Sequence, residues 1–422
     1  MYFLYLKGLI SMCQSSNMFL KEDISNIIIM GDHMKIKSLK VQNIGGIKEL
    51  DLTFNDKFNV ICGANGIGKT TILNIIADHF SDNKSLLFRK SDSDSGEYIL
   101  TYNLEGKSNQ KYRATINNFL PQVASSTFTD ADASKYLLRF DTIRNINYKK
   151  LSALTSDSRR QKYDNPKITG TGVDASELKN WFVNRFAFHD KDGSLTQVEI
   201  DNYNLAKTMF SVLDSSVKFK TVIGRSYDIM LSTDKGDIYF EYLSSGYKSC
   251  IYIIMGIMKE IEYRTPDNPM RVSDFDGCVL IDEIEEHLHP SWQARLVQAL
   301  KEIFPKIQFI VTTHSPSVLQ SLDKDEIIPL YLDESNETAI KELDLSEYGL
   351  QGWTLEEILK DVMGVPNTTS QLYQDTLKKF DKAMNDENGE EILKQYKILD
   401  KMLNPSNMLR KLLKIQIADW EE

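Results

Sequence analysis

The chain lacks the features of a membrane or secreted protein. Its 422 residues contain no uninterrupted apolar run of the roughly eighteen residues that a bilayer-spanning helix needs. The apolar N-terminus is interrupted by Lys7 and no small-residue cleavage site follows, so it predicts neither a signal peptide nor an anchor. Strand-like sequence begins only after Met34. We interpret residues 1–33 as an extension or as the product of a mis-assigned start codon.

Cysteine is scarce and scattered. The four cysteines form no CxxC pair and have no histidine at metal-ligand spacing; they are Cys13, Cys62, Cys250 and Cys278. Two of them, Cys62 and Cys278, lie in apolar runs, where a buried free thiol is the simplest interpretation. The pattern predicts a reducing, cytoplasmic location.

An excess of positive charge is also missing. The chain has 50 Lys and Arg against 60 Asp and Glu, a net charge of −10. Proteins that coat nucleic acid by bulk charge are therefore excluded, although a local basic groove is not. Two basic stretches, Arg159 to Lys162 and Arg410 to Lys414, could contact phosphates of DNA or RNA, but such runs are usually solvated faces.

The remaining composition is that of a soluble globular protein, with 41% apolar and 26% charged residues. Strand and helix patterns alternate, which predicts an α/β fold. We expect residues 34–118 and 219–345 to form the two halves of one lobe, 119–218 a mostly helical insert and 346–422 a helical C-terminal region. Within the insert, Ser156–Gly172 is polar and Gly-punctuated, and we predict a loop there.

The clearest motif is a phosphate-binding loop of the pattern G-x-x-x-x-G-K-T. A strand pattern, Phe58–Cys62, precedes it and a helix pattern, Thr70–Phe80, follows it. Glycines let successive backbone N–H groups turn inward, and the helix N-terminus favours an anion. The predicted nucleotide contacts are Gly63, Ala64, Asn65, Gly66, Ile67, Gly68, Lys69, Thr70 and Thr71. We expect ATP as the ligand, with Lys69 on its β and γ phosphates and Thr70 on Mg²⁺.

A second motif places two acids after the short apolar run Cys278–Ile281. A buried strand there would deliver Asp282 to the carboxyl edge of a sheet, where ligands of open α/β folds bind. We expect Asp282 to hold Mg²⁺ through water. Glu283, the next residue, would act as the general base that polarises the attacking water.

The segment Leu243-Ser-Ser-Gly-Tyr247 directly precedes a helix pattern. Taken alone it is an ordinary Ser-capped helix start. With the two preceding motifs it resembles the signature of the ABC ATPase superfamily. The resemblance implies that Ser244, Ser245 and Gly246 contact the ATP held by a second subunit, so the active form would be a homodimer or a higher homo-oligomer.

The run Phe309-Ile-Val-Thr-Thr-His314-Ser-Pro resembles the switch segment of the same superfamily. The resemblance implies that His314 senses the γ-phosphate. It also makes the stretch around His287 and His289 a dimer-contact loop, although two histidines beside acids leave a zinc site as an alternative. The superfamily's Q-loop glutamine has no clear match; the candidates are Gln122, Arg139 and Arg144.

The wider resemblance covers residues 35–335 and indicates one branch of the superfamily. The signature follows the P-loop at a much longer distance than in transporter ATPases, and the coiled coil of SMC proteins is missing. The sequences IDEIEEHLHPSW and FIVTTHSP, with Gly352-Trp353 in a helical tail, resemble the RecF/OLD-like branch. They are similar to the ATPase subunits of the Septu and retron-linked Septu anti-phage systems, which implies a separate HNH-type nuclease partner.

No second catalytic machinery is visible in the sequence. The DxD matches at Asp92–Asp94 and Asp190–Asp192 lie in polar stretches, unlike the strand-edge acids of a Toprim nuclease, and no HNH arrangement is present. Three hypotheses remain: an ATPase that docks and gates a separate nuclease, a RecF-like ATPase that clamps DNA, and a slow switch that barely hydrolyses ATP. An amphipathic tail that includes Leu412 could serve docking or pack internally.

Overall fold

The computed structural model describes residues 34–82, 87–120, 130–144 and 148–420. The N-terminal extension 1–33 and the Q-loop candidate Gln122 lie outside the described residues. Within them, no helix is long and apolar enough to cross a membrane.

The described chain alternates strands and helices up to about residue 340 and is helical thereafter. The strands are β1 (Met34–Ile44), β2 (Ile47–Thr53), β3 (Phe58–Cys62), β4 (Gly96–Leu104), β5 (Lys107–Ile116), β6 (Leu137–Phe140), β7 (Lys218–Ile223), β8 (Asp228–Thr233), β9 (Gly236–Tyr239), β10 (Cys278–Ile281), β11 (Gln308–Thr313), β12 (Ile327–Leu332) and β13 (Thr338–Ile340). The helices are α1 (Lys69–Asp78), α2 (Asp164–Thr171), α3 (Leu178–Phe188), α4 (Gln197–Met209), α5 (Ser245–Arg264), α6 (Pro290–Ile303), α7 (Pro316–Leu319), α8 (Leu355–Glu357), α9 (Gln371–Asn385), α10 (Gly389–Met402) and α11 (Met408–Gln416).

The central sheet has six strands in the order β13-β12-β3-β11-β10-β6. Its strands run parallel except β13, which pairs antiparallel with β12. Every residue of β3, β10 and β11 is buried, which explains their mostly apolar sequences, because a parallel sheet is covered on both faces. The register pairs Thr313 with Cys62 and Val311 with Ile281, so these strands end at one edge of the sheet.

Two antiparallel sheets complete the β-structure: a four-stranded sheet in the order β2-β1-β4-β5 and a three-stranded sheet of β7, β8 and β9. The long helix α5 follows the three-stranded sheet. All of its residues except Ser245 and Lys248 are buried. A helix that is buried on nearly all sides lies in the interior of the protein, unlike an amphipathic helix, which buries only one face.

The stretch predicted as a helical insert differs from the structure in two places. Residues Leu137–Phe140 form β6, which pairs with β10 and therefore belongs to the central sheet. The predicted loop 156–172 contains helix α2. That helix is held by tertiary contacts: the carbonyl of Pro166 accepts from the Asp82 N–H, and Thr169 is fully buried.

The C-terminal helices have a hydrophobic core of their own, separate from the main one. It consists of Phe380, Ala383, Ile392, Leu399, Leu413 and Ile417. A capping box formed by Thr354 and Glu357 begins α8. The fold of the described residues is therefore an α/β head with a helical insert lobe and an all-helical C-terminal region.

Candidate functional site

The phosphate-binding loop connects β3 to α1 in a backbone conformation that requires glycine. Gly63, Gly66 and Gly68 have φ angles of 141°, 78° and 106°. At Gly63 an added Cβ would lie 2.4 Å from the carbonyl oxygen of Leu330 on β12, whereas nothing lies within 4 Å of one added at Gly66. The loop is therefore packed against the sheet at its start and open at its middle, as a cradle for phosphate requires.

Other residues of the loop are fixed from outside. Ile67 is buried and its carbonyl accepts from Thr338 Oγ1 at 3.0 Å, while Ala64 and Asn65 are exposed. Thr71 packs against the turn between β1 and β2, where its methyl group would lie 3.2 Å from a Cβ added at Gly45. The loop thus presents Ala64 to Gly66 outward and anchors its last residues on the fold.

Lys69 is almost completely buried, yet its ammonium group remains at the loop. Nζ donates to the carbonyls of Gly63 and Ala64, both at 2.9 Å, and lies 3.4 Å from Nδ1 of His314. Burial lowers the pKa of Lys69, and the charges of neighbouring groups, including Glu283, oppose that shift. A desolvated ammonium held by carbonyls is suited to pair with phosphate oxygens.

Thr70 and Asp282 meet although 212 positions separate them. Thr70 Oγ1 donates to the Asp282 carboxylate at 3.0 and 3.1 Å. Asp282 is held in turn by Thr312 Oγ1, which donates to it at 2.6 Å. The hydroxyl of Thr70, at the start of α1, and the carboxylate of Asp282, directly after β10, are oxygen donors of the kind that Mg²⁺ prefers. These two residues fit the predicted magnesium site.

Glu283 occupies a strained turn directly after β10. Its φ is 48°, in the left-handed region that non-glycine residues rarely adopt, and its N–H donates to Thr312 Oγ1 at 2.7 Å. A side-chain hydrogen bond in which protonated Glu283 donates to Glu286, and then burial, raise the pKa of Glu283 to about 7. A carboxylate whose pKa lies near neutrality is suited to accept a proton from water.

His314 follows β11 and is fixed by the acidic side chain of Glu285. The backbone N–H of His314 donates to the Glu285 carboxylate, which also accepts from Thr313 Oγ1 at 2.7 Å. Burial, and then the nearby charge of Lys69, lower the pKa of His314. The imidazole is therefore neutral at pH 7 and faces Lys69 at the phosphate end of the site.

The signature residues lie in a different groove. Ser244 caps α5 by accepting from the Tyr247 N–H at 3.3 Å, and Ser245 is exposed. An added Cβ at Gly246 would lie 2.2 Å from the carbonyl oxygen of His287. The groove is lined by Ser244, Ser245, Gly246, His287, Leu288, His289, Ser291 and Trp292. The structure thus brings Lys69, Thr70, Asp282, Glu283 and His314 together and directs the signature elsewhere.

The zinc alternative finds no support in the described ranges, where no group of three or more metal-ligating side chains occurs. His289 instead caps α6, with Nδ1 accepting from the Ser291 N–H at 3.3 Å. The three cysteines of this part of the chain are free and buried, as predicted for Cys62 and Cys278, and burial raises their pKa values.

The roles of Thr312 and Glu285 were not predicted, although both residues lie inside the stretches FIVTTHSP and IDEIEEHLHPSW. The roles of Arg139, which lies in β6, and of Arg144, which follows β6, were left open. Arg139 donates to Asp141 and to Asn74 on α1, at 2.7 and 2.9 Å. Arg144 reaches the main chain around Glu283, as described below.

The basic run at 159–162 is engaged within the protein. Arg160 donates to Glu177 and to the buried Glu260, and its side chain is only 12% exposed. Arg159 is exposed and pairs with Asp267 at 3.3 Å. Lys162 pairs with Asp132 at 2.8 Å. These contacts account for the run without a nucleic acid.

Together the fold, the glycine loop and the two acids at the edge of the parallel sheet define an ABC-type ATPase. A family model described as "AAA domain, putative AbiEii toxin, Type IV TA system" matches residues 58–320. The Septu protein PtuA of Bacillus thuringiensis is 42% identical over 388 residues, which cover 91% of this chain and 98% of that protein. The chain therefore belongs to the PtuA family, and its resemblance to the Septu ATPases is confirmed.

Two further similarities are more distant. The retron Ec83 probable ATPase of Escherichia coli is 30% identical over 197 residues, 44% of this chain and 36% of that protein. The SMC head domain of Thermotoga maritima aligns with 74% of this chain and 100% of that domain, at 14% identity and a TM-score of 0.40.

Proposed function

We propose that this protein is a regulatory ATPase of an anti-phage defence system, in which ATP closes two subunits head to tail and thereby controls a separate nuclease. The observation that carries the proposal is the division of the ATP-binding groups. Lys69, Thr70 and Asp282 meet at one site, whereas Ser244 and Gly246 open on another groove of the same chain. The set of groups that binds the γ-phosphate at the first site is complete only when the signature of a second copy joins it.

The electrostatics of the signature support this arrangement. Residues 244–246 form the N-terminus of the 20-residue helix α5, where unpaired N–H groups and the helix dipole favour an anion. Ser244 and Ser245 are exposed and can reach a phosphate presented by a partner. The segment His287–Trp292 beside them, which is the end of a loop and the first residues of α6, gives the partner a surface to contact.

In the closed dimer each of the P-loop, Mg²⁺-binding and switch residues of one chain has a separate role in ATP binding or hydrolysis. Mg²⁺ held by Thr70 and Asp282 would neutralise charge on the β and γ phosphates. Lys69 binds the same phosphates, and Glu283 takes the proton of the attacking water. His314, neutral and next to Lys69, donates or accepts a hydrogen bond at the γ-phosphate and so distinguishes ATP from ADP.

The first test is the mass of Glu283→Gln in solution with and without Mg-ATP. Gln keeps the shape of the side chain but cannot take a proton, so we expect an ATP-dependent dimer or larger assembly that persists. The control is Glu334→Gln, the same change at an exposed glutamate. Its ATP-dependent assembly should dissociate again as ATP is consumed. A Glu283→Gln protein whose mass is indifferent to ATP would contradict the composite site.

The same sample tests the DNA-clamp alternative. A clamp predicts that ATP-loaded Glu283→Gln retains duplex DNA at low salt and releases it as salt rises. We expect no such retention, because Arg160 is already committed to Glu177 and Glu260.

The nuclease is expected to dock on the C-terminal helices. On α11, Met408, Leu412 and Ile415 are 65%, 51% and 70% exposed at spacings of four and three residues, which places them on one face. The opposite face buries Leu413 and Ile417 in the bundle's own core. An exposed apolar stripe on a helix that is otherwise satisfied is typical of a partner surface.

Copurification tests this docking surface. The double variant Met408→Gln/Leu412→Gln should lose a co-expressed nuclease encoded by a neighbouring gene, while Lys414→Gln, on a different face of α11, should retain it. Unchanged copurification by the double variant would place the partner elsewhere.

A further inference from the structure

Arg144 is a buried arginine whose guanidinium donates to three main-chain carbonyls. It is 2% exposed. Nε donates to the Asp141 carbonyl at 3.0 Å, Nη1 to the Ile284 carbonyl at 3.4 Å and Nη2 to the Asp282 carbonyl. Burial lowers the pKa of Arg144, but an arginine remains charged at any physiological pH.

Two of these carbonyls flank the proposed general base. Asp282 and Ile284 are the residues on either side of Glu283, whose φ of 48° is unfavourable for a side chain with a Cβ. On the other side of the turn, Thr312 accepts from the Glu283 N–H at 2.7 Å and from the Ile284 N–H at 3.0 Å. The turn is therefore held between β11 and the segment that follows β6.

We infer that Arg144 is a positioning residue for Glu283: it holds the turn that aims the carboxylate, and so makes hydrolysis depend on the segment leading into the insert lobe. The inference rests on the proposed role of Glu283 as base. The residue stands where the chain leaves β6, and its forked donors reach carbonyls on two different elements at once, which a lysine ammonium does less well. A shift of the insert lobe would then move the base.

A purely structural role makes a different prediction, and Arg264 provides the comparison. Arg264 is also buried, and its Nη1 donates to the Ser134 and Leu137 carbonyls at 2.9 and 2.8 Å. Those carbonyls lie at the start of β6, away from Glu283. Arg264→Met removes these hydrogen bonds to main-chain carbonyls, together with a buried ion pair between Arg264 and Glu260, without touching the turn of Glu283.

The experiment measures kcat, ATP affinity and Tm for Arg144→Met, Arg144→Lys and Arg264→Met. Because misplacing a catalytic group by about 1 Å can cost roughly a hundredfold in rate, we expect Arg144→Met to lower kcat about 10–100-fold. Its ATP affinity should stay within about threefold, since the P-loop is untouched. Arg144→Lys should give an intermediate kcat, and Arg264→Met should lower Tm with little change in kcat.

The decisive variant combines Arg144→Met with Glu283→Gln. If Arg144 acts through Glu283, the double variant hydrolyses ATP no more slowly than Glu283→Gln alone. Two losses that multiply would overturn the inference and leave the role of Glu283 intact. A Glu283→Gln protein that keeps its kcat would instead remove the proposed base, and the inference with it.

Discussion

Gly246, at the start of the signature helix, packs against the backbone of the loop that follows Glu283, and replacing it with alanine has a calculable effect. The added Cβ would lie 2.2 Å from the His287 carbonyl oxygen and 3.2 Å from the Leu288 Cα. Both are backbone atoms, and real Cβ contacts shorter than 3.0 Å are essentially never seen. The helix or the loop must therefore move by most of an ångström.

The sign of the effect separates this site from an ordinary helical glycine. Alanine in an unobstructed helix stabilises a protein by roughly 0.5–1 kcal/mol relative to glycine. Overpacking against a fixed backbone costs roughly 1–3 kcal/mol. The balance predicts a net loss of about 1–2 kcal/mol, because overpacking exceeds the gain in helix propensity. If the loop moves, the dimer surface moves with it.

Urea denaturation of Gly246→Ala and of the parent protein measures the stability change. Gly224→Ala is the control, because Gly224 has open space around it. Sedimentation with Mg-ATP, in the Glu283→Gln background, should show dimerisation weakened by about tenfold, the equivalent of 1.4 kcal/mol. Binding of a fluorescent ATP analogue to the monomer should not change. A Gly246→Ala protein as stable as its parent would refute the close approach.

Three further outcomes follow from the site and its surroundings. Since the pKa of Glu283 is raised to about 7 and the base must be deprotonated, kcat/KM should rise with pH through about 7; in Glu286→Gln, which removes the acidic partner, a pH–rate profile should show the inflection at lower pH. Thr70→Ala removes one Mg²⁺ ligand and should raise the Mg²⁺ concentration for half-maximal hydrolysis by about tenfold, with Thr70→Ser close to the parent in the same titration. Arg185→Ala leaves Glu262 buried without its 2.6 Å partner and should cost roughly 3–5 kcal/mol by urea denaturation, whereas a loss below about 1 kcal/mol would mean that water replaces the guanidinium.

Sequence patterns anticipated the elements whose signal is local. The strand Phe58–Cys62 has the predicted bounds, because a buried parallel strand is a short, mostly apolar segment, and a turn signal, the glycine loop, follows it directly. The loop after it was recognisable because its glycines are needed where φ is positive. By contrast β6 was missed: it has four residues, one of them Arg139, and becomes a strand only through pairing with β10.

Helix α2 escaped prediction for a related reason. Its sequence contains Pro166 and Gly170, residues that disfavour helices, and its stability comes from packing against the rest of the lobe. The periodicity of the C-terminal tail did not show which of its apolar residues are buried. Leu413 is buried in a local core, while Leu412, one residue earlier, is exposed. Amphipathic spacing defines the faces of a helix but does not identify their partners.

The sequence by itself was enough to predict which residues bind phosphate, because that chemistry depends on a glycine pattern and a lysine within one short loop. It also determined the family, since the four motifs occur in a specific order. Only the tertiary structure showed that Thr70 and Asp282 meet and that Glu285 accepts from the backbone N–H of His314. It also showed that Arg144 donates to the main chain beside Glu283. The physical reason is that parallel strands bring their carboxyl ends to one edge, so residues far apart in the chain become neighbours only when the sheet has formed.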